Sequence, residues 1–120
     1  MKHNFKELVV WKRVRILVKE IYELSKSFPS EEKYGMQSQI RRAVLSISLN
    51  IIEGSARSTD KQFANFLDMS FGSARELQGI LIHANDLGYI SNQEFENYEN
   101  ECVEIQKMLF SFRNRIKKEL

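Results

Sequence analysis

The sequence holds one cysteine, one proline, five glycines and two histidines. A single thiol, Cys102, excludes an intramolecular disulfide and a multi-cysteine zinc site, and the compartment expected for it is a reducing cytoplasm. With so few turn formers, loops must be few and short, which favours long helices. No stretch approaches the ~20 apolar residues of a membrane span. The longest candidate, Ala43 to Ile52, contains Ser46, Ser48 and Asn50, so no membrane association is expected. The opening residues, Met-Lys-His-Asn-Phe-Lys-Glu, lack the apolar run of a signal peptide. Charge of one sign is missing as well: 18 basic against 16 acidic residues leave +2, too little to argue for nucleic acid by itself.

Catalytic constellations are equally scarce. Gly-rich phosphate loops and a paired-carboxylate cleft are not visible. A di-metal site in a bundle needs Glu-x-x-His pairs, and the chain has none. His83 and Asp86, three apart, read as a surface pair, and His3 lies in a terminus expected to fray. Cys102 falls in an apolar seam and reads as a small core residue. Non-enzymatic function without cofactor or metal is the expectation.

What is present is helical periodicity. The composition, 42% hydrophobic and 28% charged, is that of globular chains, and 120 residues make one domain, 1–120. A first helix is expected from about Phe5 to Phe28. Its apolar residues Val10, Val14, Leu17, Ile21, Leu24 and Phe28 step by 4, 3, 4, 3, 4, the spacing of near-parallel helix packing, and Pro29 ends it. A second helix starts after Ser30, with a break near Tyr34-Gly35, and runs to Glu53, with Gly54 as its stop. A third begins at a Thr59/Gln62 capping box, follows Phe63, Leu67, Ser70, Ala74, Leu77, Leu81 and Ala84, and ends at Gly88. The fourth opens on a Ser91/Glu94 capping box with an Ile90/Phe95 staple. Its seam is Phe95, Tyr98, Cys102, Ile105, Leu109, Phe112 and Ile116. Seams of this period joined by short loops give an all-α, antiparallel up-down-up-down four-helix bundle.

Two features exceed what one core needs. Between Ala43 and Ile52 the apolar residues Ala43, Val44, Leu45, Ile47, Leu49, Ile51 and Ile52 cover most of the helix circumference. A helix apolar on so many sides needs a second burial partner, and in so small a chain that partner is expected to be another copy. Along the same helix Gln39, Arg42, Ser46, Asn50 and Glu53 form one polar ridge, which Arg57 extends if the helix continues. It reads as a hydrogen-bond ladder at a helix interface, as a row of donors facing a ligand, or as plain solvent exposure. On the first, Arg42, Asn50 and Glu53 are largely buried, and Arg42 pairs with Glu76 or Glu53. The small residues Ser70, Gly72, Ser73 and Ala74 allow a neighbouring backbone to come close.

Charge is unevenly distributed. Residues 1–60 carry 11 basic and 7 acidic side chains, residues 61–120 carry 7 and 9. Lys12, Arg13, Arg15 and Lys19 lie on two turns of the first helix. In the fourth, glutamates fill the first half, and Lys107, Arg113, Arg115, Lys117 and Lys118 the second. That basic tail reads either as a helix end matched to its dipole or as a nucleic-acid contact. Trp11 and Tyr22 read as amphipathic core or interface anchors, with base stacking as the alternative. No exposed aromatic platform is evident for base stacking. The acidic half of the fourth helix opposes a basic belt if it lies alongside it.

The run Ser38-Gln39-Ile40-Arg41-Arg42-Ala43, then Ser46-Ile47-Ser48-Leu49-Asn50-Ile51-Ile52-Glu53-Gly54 and Arg57, resembles the signature of the four helix bundle protein family. Members include proteins encoded in intervening sequences of bacterial 23S ribosomal RNA genes, also called S23 ribosomal proteins. Leu8, Val10-Trp11, Phe28-Pro29, Tyr34-Gly35, Gly72-Ser73-Ala74, Glu76-Leu77 and Leu87-Gly88 extend the resemblance over roughly residues 8–90. Ser48 departs from it where proline is frequent, and Ile52 where alanine is common. The resemblance implies an antiparallel bundle that assembles into a homopentamer. The accessory variability determinant of diversity-generating retroelements is similar, a basic pentameric barrel that binds nucleic acid and a reverse transcriptase. Two functions follow as expectations: an oligomeric protein that binds RNA or DNA weakly and with little sequence preference, or an oligomeric scaffold for a protein partner. No catalytic residues carry over.

Overall fold

The computed structural model describes residues 3–118, the side chain of Lys118 excepted. Four helices follow one another: α1 (Val9–Ser25), α2 (Met36–Ser55), α3 (Asp60–Asp86) and α4 (Asn92–Lys118). Single 3-10 turns at Phe5–Glu7 and Ser30–Glu32 precede α1 and α2. They form an antiparallel four-helix bundle, 46 × 23 × 20 Å, with no strand among the described residues.

The apolar seams point inward. All six seam residues of α1 and its loop are buried, as are all seven of α3. On α4, Cys102, Ile105, Leu109 and Ile116 are buried, while Phe95, Tyr98 and Phe112 pack partly buried against them. From α2 come Ile40, Ala43, Val44, Ile47 and Ile51.

The helix ends follow from local chemistry. α1 stops at Ser25, three residues before the expected Phe28, yet a tightened turn (Phe28 N–H to Ser25 C=O, 3.2 Å) still delivers Phe28 to the core. The end of α1 is held from α2. Gln37 Nε2 donates to the Ser25 carbonyl at 2.9 Å, and Arg41 Nε to Ser25 Oγ at 2.7 Å. The break expected at Tyr34-Gly35 is present. There the Glu32 carboxylate accepts the Met36 N–H (3.0 Å), placing negative charge and an acceptor at the start of α2. Thr59 Oγ1 caps α3 through Gln62 N–H at 3.1 Å; the Gln62 side chain turns instead to Ser58. At the end of α3, Gly88 takes φ +77°, Tyr89 N–H returns to Ala84 C=O and Gly88 N–H to Asn85 C=O, a Schellman motif. The Ser91/Glu94 box makes both of its bonds, at 3.0 and 2.9 Å.

Gly54 corrects an expectation. It does not stop α2, which runs on to Ser55, but lies buried inside the helix. A Cβ there would sit 2.7 Å from Phe63 Cδ1 and 2.7 Å from Phe66 Cβ. The glycine is there to let α2 and α3 approach. His3, expected to fray, packs its ring edge-on to Phe63 at 4.9 Å, with Nε2 3.2 Å from Asp60 Oδ1.

The bundle is not equally tight all round. α2 packs extensively on α3, and α3 on α4, but α1 meets α4 along a thinner seam. Near the start of α1 that seam opens into a cleft of about 500 Å³ lined by Leu8, Val9, Met108 and Phe112.

Candidate functional site

The outer side of the α1–α2 pair is built from two rows. On α1, Trp11, Arg15, Val18 and Tyr22 step by 4, 3, 4. Trp11 is fixed by donating Nε1–H to Ser48 Oγ (3.0 Å), with Phe5 edge-on at 5.0 Å and the Arg15 guanidinium 5.7 Å over the ring. Ser48, the departure from the resembled pattern, thus gives the indole its acceptor. Arg41 stacks over Tyr22 at 5.1 Å. On α2, Leu45 and Leu49 are 37% and 47% exposed, and half-buried Ile52 continues their line. The surplus apolar residues of α2 therefore form an outward stripe; the helix is not buried nearly all round within its own chain.

The polar ridge runs beside that stripe, facing α3. Gln39 Nε2 donates to Glu76 Oε2 at 2.7 Å, the Ser46 and Ser73 hydroxyls are 2.9 Å apart, and Asn50 Nδ2 donates to the Ser46 carbonyl at 2.9 Å. Gln39, Arg42, Ser46, Ser73 and Glu76 surround a small pocket of about 190 Å³. Two parts of the expected ladder are missing. Arg42 and Glu53 are exposed, and Glu76 takes Gln39 rather than Arg42. The ridge sits at the rim of the α2–α3 contact, outside its buried centre, so the chain alone does not bury it. Arg57 lies beyond the end of α2 and covers the Phe66 ring at 4.6 Å.

The basic side chains divide into free and paired. Lys12, Arg15 and Lys19 are exposed and, with Ile16, line one shallow groove on α1. Arg13 points the other way and is clamped by Glu101 (Nε to Oε2, 3.0 Å). Hydrogen bonding to that carboxylate raises the Arg13 pKa, with Glu104 adding to it. The acidic half of α4 does lie alongside α1, and it neutralises Arg13. On the α4 tail, Arg113 makes two bonds to Asp68, at 2.9 and 3.3 Å. Arg115 stacks over Phe112 at 5.5 Å and Lys117 is exposed. The Lys118 side chain lies outside the described residues.

Among the described residues, no three His, Cys, Asp or Glu side chains converge as metal ligands. Cys102 is buried, donates Sγ–H to the Ala74 carbonyl at 3.0 Å, and is pushed by burial up to about 11. His83 and Asp86 are exposed. No helix among the described residues is long and apolar enough to cross a membrane. One exposed aromatic escaped the periodicity: Phe110, 59% exposed, with Phe71 6.5 Å away. Its only signal is position, one residue past the buried seam residue Leu109, which turns it outward.

The family model described as 23S rRNA-intervening sequence protein matches residues 6–111 of this chain. The chain belongs to that family. The match spans α1, α2 and α3 and most of α4. A solved structure from Bacteroides thetaiotaomicron, a protein of unknown function from the S23 ribosomal protein family, is similar at a TM-score of 0.82 and 27% identity. The match covers 88% of this chain and 98% of that one. No curated protein matches the chain.

Proposed function

We propose that this chain is a non-catalytic cytoplasmic protein that assembles into a homopentamer and, once assembled, binds nucleic acid weakly and with little sequence preference. The observation that carries the assembly is the Leu45–Leu49–Ile52 stripe beside Trp11 and Tyr22. Exposed leucines at helical spacing on the outside of a finished bundle, with Arg41 stacked on Tyr22 beside them, fit a buried contact better than a solvated face. Assembly in turn supports binding. Lys12, Arg15 and Lys19 are too few on one copy, but a ring repeats them, and phosphate contacts gain strength when one strand reaches several together.

Light scattering of the intact chain tests the assembly. The expected mass is five times the 14.1 kDa of one chain, and Leu45→Glu with Leu49→Glu reduces it to one. A wild-type mass of 14.1 kDa at micromolar concentration removes the proposal's support. Fluorescence polarisation with labelled RNA and DNA tests the binding. Complexes present at ~50 mM salt should weaken steeply at higher salt and be lost when Lys12, Arg15 and Lys19 become alanine.

The second reading, a scaffold for a protein partner, is favoured by the pairing of Arg13 with Glu101 and Arg113 with Asp68, which neutralises two of the basic groups. It takes the lead if the oligomer forms and neither nucleic acid binds.

A further inference from the structure

We propose that the groove between α3 and α4 around Phe110 is a stacking site for unpaired bases of a single-stranded nucleic acid. This rests on the nucleic-acid reading above and adds to it a place where bases, not only phosphates, are held. The groove is lined by Leu67, Asp68, Phe71, Leu109, Phe110 and Arg113 and encloses about 340 Å³. Leu67 and Leu109 form its buried floor, while Phe110 stands 59% exposed at its edge. Phe71, half-buried, sits 6.5 Å from it with the ring planes at 53°. The Phe110 ring is thus open to solvent with a second ring tilted beside it, an apolar surface on which a base can stack.

The charge around the ring selects the occupant. On α4, Lys107 precedes Phe110 by three residues, and Arg113 and Lys117 follow by three and seven. All three lie within two turns of the ring. Arg75 stands on α3 one turn beyond Phe71, and like Lys107 and Lys117 it is exposed. The one acid in the groove, Asp68, is held by Arg113 through two bonds. That pair cancels the carboxylate and fixes a planar guanidinium beside the aromatic ring, a second flat surface for a base. A phosphate backbone meets Lys107 and Lys117 with attraction, while its bases reach the ring. Duplex DNA or RNA has no unpaired base to offer, so the site distinguishes single strands from duplexes.

The test uses the full chain and a labelled oligothymidylate of about 16 nucleotides, with a duplex of equal length for comparison. Phe110→Ala is expected to weaken binding of the single strand on the order of tenfold. Duplex affinity and the dependence on salt should stay as in wild type, because no phosphate contact is removed. Phe110→Tyr, which keeps the ring, should bind like wild type. If wild type binds the single strand and Phe110→Ala binds it equally well, the stacking site is wrong while the nucleic-acid reading stands on Lys12, Arg15 and Lys19. If wild type binds neither probe at ~50 mM salt, both fall. If Phe110→Ala changes the oligomer mass, the groove joins copies of the chain and the proposal is overturned.

Discussion

Replacing Gly54 by alanine adds one methyl group where α2 and α3 touch. The new carbon would lie 2.7 Å from Phe63 Cδ1 and 2.7 Å from Phe66 Cβ, well inside ordinary contact distance. Phe66 Cβ is tied to the α3 backbone and cannot swing aside. The Phe63 ring is 1% exposed and enclosed by His3 and Phe112, at 4.9 and 5.5 Å, so it has nowhere to rotate. Relief requires the helices to separate. Overpacking of this kind costs roughly 1–3 kcal/mol, and the upper half of that range applies because neither neighbour yields. Against it stands the preference of a helix for Ala over Gly, about 1 kcal/mol. The net expectation is a loss of about 1–2 kcal/mol, or a Tm lowered by roughly 4–10 °C for a chain of this size. Gly72→Ala and Gly79→Ala are the internal controls, since a Cβ at either position meets nothing within 4 Å. Each should gain about 0.5–1 kcal/mol. Thermal and urea unfolding followed by circular dichroism, at one fixed chain concentration, measures all three. Gly54→Ala melting at or above wild type would refute the close approach. Loss of stability at Gly72 or Gly79 would mean that a partner covers those positions.

Three further outcomes are expected. Ser48→Ala leaves the half-buried Trp11 N–H without its acceptor, which should lower stability by about 1 kcal/mol and shift the fluorescence of this lone tryptophan; unchanged emission and melting would contradict the bond. Cys102 is raised from an ordinary 9.0 to about 11 by burial. The fold therefore favours the neutral thiol, its contribution is complete below pH 9 and declines as pH rises toward 11, and Cys102→Ala should flatten that decline. A thiol reagent at pH ~8 should label Cys102 only as the chain unfolds; labelling at the rate of a free thiol would show it accessible. Glu101→Gln breaks the part-exposed Arg13 ion pair that ties α1 to α4, so stability should fall by about 0.5–1 kcal/mol; unchanged melting would show that the pair contributes nothing.

The seams were legible because burial in a bundle follows a period that sequence displays directly: Val10 to Phe28 and Phe63 to Ala84 are buried at every step. The α4 start was legible because a capping box is local, complete within four residues. What could not be read depends on distance through space. A glycine after a helical run reads as a stop, and only the positions of Phe63 and Phe66 show that Gly54 is a contact residue. Arg13 and Arg15 look alike in sequence, but one turns to Glu101, 88 residues away, and the other to its own helix face. Arg42 looked buried because its ridge crosses an apolar helix, yet the ridge lies at the rim of the α2–α3 contact. Phe110 hid beside Leu109, since a residue one step off a seam carries no periodic signal.

The thin seam between α1 and α4 gives the bundle a weak edge. Contacts along α2, α3 and α4 join sequence neighbours and form with little loop closure, whereas α1 reaches α4 only by closing the whole circuit of the chain. A circuit closed at its thinnest joint also opens there. Amide protons of α1 should therefore exchange through a smaller opening than those of α2 and α3, which need the bundle to unfold. The helix that opens first carries both the Trp11–Tyr22 row and the Lys12–Lys19 row. Whatever docks on either row, a second copy or a strand of nucleic acid, acts as a clasp on the loosest helix, and docking and closure reinforce one another.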